Sequence, residues 1–447
     1  MIDSDSTKNS RLPQNFSLDL DFLLLLSSTQ RNLKALWLPA LGETIPKAIA
    51  CPVFSWQWLG SLEKLVLPLR VDGAADVDGF GRIMRHVPNP PELAIRTSKC
   101  RKEYQNLSNL VDSVFSSVFE HIQPLGTAEA LRLRSLRLRQ TDLQSSTSRL
   151  YQAIDPLLLT SLRLKYCRGT EHLLSALTPL FQTGSPALQC FEYTGRSIDN
   201  QVLCGFFNAF VGLHTLKLVY DWPDADIDWP LKVLKNHGST LARLILFTCD
   251  GGDIDVAEAS WVDGSSLLGL VHSCPHLCEI ALPLPVPCLP GQTDKDEQRF
   301  FTAIDALRQL KHLRLLKIVT WPKLDNVDLR PMSSPVDTLV ELIDLRNLSN
   351  AQKALGYMDC HALRIIKRFA NAPSMTPNQL PSIHFGRNAD SQSFLETRDE
   401  LTKVKVEPLC YLPTLHTDRF GTRMIKADGV SRQDYRYLST KSCVADF

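Results

Sequence analysis

The sequence predicts an α/β chain that coils, strand after strand, into a right-handed solenoid with one long parallel sheet. Three observations carry this expectation. A short leucine pattern recurs along most of the chain, its copies are spaced like the units of a repeat array, and helical periodicity fills several of the stretches between them.

The pattern is clearest in "LRLRSLRLRQTDL", Leu131 to Leu143. Leu136 and Leu138 obey the two-residue period of a strand, but Leu133 is out of phase with them, so a flat strand cannot bury all three on one face. A bend that admits Leu133 to the core before the strand begins resolves the conflict. The outline L-x-x-L-x-L returns as "LKALWL" from Leu33, "LEKLVL" from Leu62, "LRSLRL" from Leu133, "LTSLRL" from Leu159, "LHTLKL" from Leu213 and "LARLIL" from Leu241. Looser copies are "LQCFEY" from Leu188, "LCEIAL" from Leu277 and "LRLLKI" from Leu313. Successive first leucines are separated by 29, 71, 26, 29, 25, 28, 36 and 36 residues. Each copy offers about three large apolar side chains worth roughly 1.5–3 kcal/mol apiece on full burial, too little to offset the ordering of a lone coil, so neighbouring coils must stack.

In chain order, "FSLDLDFLLLLSSTQ" reads as a helix or half-repeat that shields the first strand, giving an N-terminal cap over residues 1–30. The array proper is expected over 31–330, with about nine to ten irregular repeats. Its 71-residue gap holds one degenerate coil near "PELAIRTS" and turn-rich insertions, "VDGAADVDGFGR" and "VPNPP". Helical faces follow from Leu110, Val114, Phe115, Val118 and Ile122, from Leu173, Leu174, Leu177, Leu180 and Phe181, and from Phe300, Phe301, Ile304, Leu307 and Leu310. Beyond Trp321 the pattern stops. Val336, Leu339, Val340 and Ile343, then Leu363, Ile366 and Phe369, predict a helical C-terminal cap over 331–371. Residues 372–447 are left as a linker and tail: Asn371 to Ser382 is proline-rich, and the rest has the makings of a short hairpin or extra strands.

Composition narrows function. A chain of 447 residues with 44% hydrophobic and 22% charged residues is ordinary globular material. A net charge of +1 and a pI near 7.6 give no general attraction for nucleic acid or an anionic membrane, and neither is expected as a partner. The 12 cysteines are scattered singly, which suits reduced thiols in the cytoplasm or nucleus. "FLLLL", Phe22 to Leu26, is too short to span a membrane and follows acidic residues unsuited to a secretory leader.

The residues resemble the leucine-rich repeat family, whose units add Asn or Cys after two intervening residues beyond L-x-x-L-x-L. Cys167 and Cys249 stand there, and Thr141 and Asp221 occupy it in two further copies. The resemblance implies that this side chain caps the turn leaving the strand and that the fold is a horseshoe with a concave parallel sheet. "CPHLCEIAL" is similar to the cysteine-containing repeats common in F-box proteins, and the late spacing and the "TDRFG" tail resemble the repeat region of fungal F-box-type proteins. No F-box itself is recognisable: it would open with Leu-Pro-x-Glu, whereas Leu12 and Pro13 are followed by Gln14, Asn15 and Phe16.

On the expected concave face, the x positions of the nine copies carry nine basic residues against three acids, Glu63, Glu192 and Glu279. Two readings stay open: a basic strip that docks an acidic protein segment, or a solvated face that keeps the strands from aggregating. The candidate partner-binding residues are Trp37, Lys64, Arg134, Arg137, Arg163, Lys217, Arg243 and Lys317. "HSCPHLC" holds Cys and His in a tight cluster but lacks a second pair at zinc spacing, so a structural role is expected and no metal. Cys410, His416 and Asp418 are the residue types of a nucleophile, base and orienting acid, yet no nucleophile elbow or oxyanion loop accompanies them, and no catalysis is expected. "VDGFG" and "DGG" lack a phosphate-loop context, so no cofactor is expected. The expected function is non-catalytic protein binding. Substrate recognition for an F-box-type ubiquitin ligase, with its adaptor as a second partner, is what the resemblance implies; the alternative is a scaffold or regulator with no ligase link.

Overall fold

A computed structural model of the chain describes residues 25, 29–30, 32–37, 61–70, 91–98, 131–141, 143–144, 150, 154–195, 198–219, 233–247, 264–284, 294–318, 361–372, 379–385, 410–417 and 423–430. The chain divides into two compact units, Met1–Phe210 and Val211–Phe447. Each is α/β with a mostly parallel open sheet, an arrangement compatible with a solenoid-like fold. Most of the expected N-terminal cap, the helix expected over 110–122, the turn positions Asp221 and Cys249, the glycine loops and the apolar run from Val336 to Ile343 lie outside the described residues.

The first unit contains β1 (Ala35–Trp37), β2 (Lys64–Arg70), β3 (Glu92–Ser98), β4 (Ser135–Arg139), β5 (Ser161–Lys165), α1 (Thr170–Thr183), β6 (Cys190–Thr194) and α2 (Asn200–Asn208). Its strands pair in sequence order, all parallel, so each coil lies against the next. "PELAIRTS" is β3, and its Leu93 and Ile95 are buried in register with Leu136 and Leu138 of β4.

The phase slip of the leucine pattern has a backbone cause. The amides of Thr160 and Ser161 both donate to the carbonyl of Arg134, and those of Gln189 and Cys190 both donate to that of Thr160. The amides of Arg134 and Ser135 share Pro91 O in the same way. Two residues thus oppose one at these strand entries, as in a β-bulge, and the extra residue resets the side-chain phase. Leu133, Leu136 and Leu138 are consequently all buried, as are Leu159, Leu162 and Leu164.

At the exit of β4 and β5 the chain turns inward through residues with left-handed backbone, Gln140 (φ 57°) and Tyr166 (φ 54°). Their amides continue the ladder to Lys165 O and Thr194 O. The next residues, Thr141 and Cys167, are buried at the position where the repeat pattern asks for a small polar or thiol group. Thr141 Oγ1 donates to Cys167 Sγ at 3.2 Å, and the thiol donates to Leu138 O at 3.3 Å. Burial pushes the Cys167 thiol up, which keeps it a donor.

Leu173, Leu174, Leu177 and Phe181 of α1 are buried, whereas Leu180, expected on the same face, remains exposed in the last turn. The first unit's core is aromatic around Phe206 of α2, whose ring lies 5.5, 5.4, 5.5 and 5.4 Å from those of Phe181, Phe191, Phe207 and Phe210.

Gly169 caps α1 with φ 70°, and a Cβ there would stand 2.5 Å from the backbone nitrogen of Gln144. Gly205, inside α2, has open space at the same position. Gly169→Ala is expected to destabilise by roughly 1–3 kcal/mol. Gly205→Ala should stabilise by about 0.5–1 kcal/mol. Opposite shifts of the urea midpoint check the pair.

The second unit contains β7 (Thr215–Val219), β8 (Arg243–Phe247), α3 (Gly264–Ser273), β9 (Glu279–Leu282), α4 (Asp294–Leu307), β10 (Leu315–Ile318), α5 over 361–370, β11 (Ser382–Phe385), β12 (Cys410–Thr417) and β13 (Arg423–Val430). Strands β7 to β11 are parallel neighbours in sequence order, and β12 and β13 then add antiparallel. The shared-carbonyl entry recurs here: Ala242 and Arg243 donate to His214 O, Cys278 and Glu279 to Ala242 O, Arg314 and Leu315 to Cys278 O. His237 is fully buried and accepts the Leu213 amide through Nδ1 at 3.3 Å, so that nitrogen carries no proton.

Parallel pairing runs past residue 330 into the stretch expected as a proline-rich linker and tail. Leu380, Ile383 and Phe385 are buried and form another copy of the outline, "LPSIHF", with Ser382 Oγ donating to Arg314 O. Phe300, Phe301, Ile304, Leu307 and Leu310 are buried as their spacing predicts. Helix α5 joins α4 through Phe301, with the guanidinium carbons of Arg364 and Arg368 lying 4.6 and 4.3 Å from the ring centre. Arg368 also donates to Asp305 at 2.6 Å. Among the described residues, no helix is long and apolar enough to cross a membrane.

Candidate functional site

The strand pleat that buries the leucines turns the intervening residues to the other face of each sheet, where parallel neighbours stand about 4.8 Å apart. Register makes these residues rows. In the first unit one row reads Ala35, Lys64, Glu92, Ser135, Ser161, Cys190, and the next Trp37, Val66, Ala94, Arg137, Arg163, Glu192. A third row, nearer the strand exits, reads Pro68, Arg96, Arg139, Lys165, Thr194.

Arg137 and Arg163 are therefore direct neighbours, but the row ends in acid. Arg163 pairs with Glu192 at 3.4 Å. Glu92 takes Lys64 at 3.0 Å and Arg137 at 3.1 Å and so bridges three strands. Glu92 was absent from the charge balance drawn from the repeats, because β3 carries Pro90 where the outline has its first leucine. Arg134 sits at the bend before β4, exposed, and its carbonyl receives the next coil. Trp37 ends β1 beside Val66.

In the second unit, Arg243 forks onto Glu279, with contacts of 2.6 and 3.0 Å. Lys217 and Lys317 share a row with Ile245 and Ala281 between them and His384 beyond. Val219, Ile245 and Ala281 pack together there, so apolar contact separates the two lysines. Of the eight candidates, then, Lys64, Arg137, Arg163 and Arg243 are drawn into cross-strand ion pairs.

The cysteine-histidine cluster has structural work. Cys274 is buried in contact with Leu234 O at 3.9 Å, and Cys278 donates to Ala242 O at 3.2 Å. Desolvation pushes the Cys274 thiol up to about 11. His276 stacks on His312 with ring centres 6.4 Å apart. Cys410 and His416 lie on one strand six residues apart. Six residues of extended strand span roughly 20 Å.

No family model matches the chain, and no curated protein matches it.

Proposed function

We propose that this chain is a non-catalytic protein-binding module, a leucine-rich-repeat solenoid whose exposed sheet face receives a partner protein. The observation that supports it best is the row arrangement: charged, partly exposed side chains held in register on consecutive parallel strands, over a layer of buried leucines. Such a face offers fixed spacing over several strands, which suits an extended macromolecular contact better than a small ligand. The resemblance of the repeats to those of fungal F-box-type proteins supports substrate recognition for a ubiquitin ligase as the specific role. Asn15, standing where the F-box opening has Glu, supports the second reading, a scaffold without a ligase link.

A photo-crosslinking residue in place of Arg163 is expected to capture a discrete cellular protein, while the same residue in place of Glu171, on the helical layer, captures none. Equal capture from both positions would refute binding by the sheet face. Co-purification with the ligase adaptor separates the two roles: retention supports the ligase reading and its absence the scaffold.

A further inference from the structure

We propose that His276 and His312 form a two-histidine site for a transition-metal ion of the zinc class, held between the turns that lead into β9 and β10. The site lies before the strands and does not depend on the protein-binding reading.

The two histidines come from different coils, and the fold makes them neighbours by construction. Each stands immediately before the first leucine of its copy, Leu277 or Leu313. The register that pairs Glu279 with Leu315 is an offset of 36 residues, and the same offset relates His276 to His312. Each also occupies the third position of a turn closed by the same hydrogen bond: Leu277 N donates to Cys274 O at 3.3 Å, and Leu313 N donates to Leu310 O at 3.4 Å. Cys274, Leu277, Leu310 and Leu313 are all buried, so both turns are anchored on either side of an exposed histidine. The rings lie face to face, with centres 6.4 Å apart and planes 17° from parallel.

Imidazole nitrogen suits zinc, copper and nickel, whereas magnesium and calcium prefer oxygen. With metal–nitrogen bonds of about 2.0–2.1 Å, two imidazoles on one tetrahedral ion hold their ring centres roughly 5 Å apart. Rotation of two exposed side chains closes 6.4 Å to that spacing while the anchored turns stay in place. The nearby thiols do not compete: Cys274 is buried with its thiol pushed up to about 11, and Cys278 donates to Ala242 O. Among the described residues no group of three or more histidines, cysteines and carboxylates could hold a metal, so two protein nitrogens bind the ion and water fills its other positions. Such a site is open and exchangeable. Its second ligand was hidden from the sequence because it sits a whole coil away, not within the few residues of a zinc motif.

The test uses the full chain and diethyl pyrocarbonate, which modifies accessible neutral imidazoles, with each histidine followed by peptide mass spectrometry. Excess zinc chloride is expected to slow modification of both His276 and His312 by about tenfold or more, and a chelator should restore the original rates. His172, an exposed histidine of α1, serves as the internal reference and should change by less than about twofold. In His312→Gln the zinc protection of His276 should fall to within about twofold of the metal-free rate, and His276→Gln should do the same to His312, because a lone imidazole loses the chelate. Circular dichroism verifies that both variants fold. No protection in the parent chain overturns the proposal, as does protection of His276 that persists in His312→Gln. Equal protection of His172, or equal protection by magnesium chloride, overturns it too, since either marks a general salt effect and not a site.

Discussion

Phe206→Ala is expected to cost about 3–5 kcal/mol, the largest effect of any single truncation in the first unit. Phe206 is fully buried, and four rings meet it from α1, β6, α2 and the turn after α2. Alanine there leaves a void that the flanking strand cannot fill, since Phe191 is held by its ladder to β5. Amide exchange in α1, β6 and α2 should accelerate by roughly 10²–10³-fold under conditions where opening is at equilibrium. Phe206→Leu keeps most of the apolar volume and should lose markedly less. Equal protection in the parent and Phe206→Ala would mean that the aromatic cluster does not hold these elements together.

The second large effect is a dependence on pH centred on His361 of α5. Its ring is buried against Phe300, with centres 6.5 Å apart and planes nearly perpendicular. Desolvation chiefly, and the Arg364 charge next, lower its pKa from 6.5 to about 3. The folded chain therefore keeps the imidazole neutral in a range where the unfolded chain protonates it. This contribution to stability is complete above pH 6.5 and is lost as pH falls from 6.5 toward 3, at up to about 1.4 kcal/mol per pH unit. Between pH 6.5 and pH 5 the loss approaches about 2 kcal/mol. His361→Leu removes the titrating group and keeps an apolar side chain, so its stability should be flatter over that interval by about the same amount. The Arg308–Asp305–Arg368 contacts remain in both proteins, and the difference between the two curves isolates the histidine. Parallel urea-midpoint curves for parent and variant would show that His361 takes up its proton without opening the fold.

The layer of buried strand residues was legible from the sequence in most copies where two features coincided, a first leucine and the later pair. Leu159, Leu162 and Leu164 illustrate this, as do Leu277, Ile280 and Leu282. The pattern gave no account of Leu131, buried through its bridge to Ile154, because that contact joins residues 23 positions apart with no repeat relation. "LPSIHF" escaped because Pro381 and the prolines before it signal a loop; Pro381 in fact lies at the strand entry, where the chain bends and the missing amide does not interrupt the ladder.

The site was less legible than the fold. Counting charges within six-residue copies omitted Glu92, whose strand lacks the first leucine, and with it the acid that engages Lys64 and Arg137. The same window stopped one residue short of Arg139 and Lys165. Which cation meets which acid depends on register between residues 28 to 45 positions apart, and a pattern confined to one coil carries no such information. The left-handed Gln140 and Tyr166 had no sequence signal, since neither residue type announces that backbone.

Within each unit, consecutive strands are sheet neighbours, and at the entries of β2, β4, β5, β6, β8, β9 and β10 two amides hook onto one carbonyl of the coil before. Duplicating or deleting one whole coil would leave each remaining hook with an equivalent partner. The molecule's reach can thus lengthen or shorten by inheritance of whole turns, while its grip is tuned separately by point changes on the outward rows.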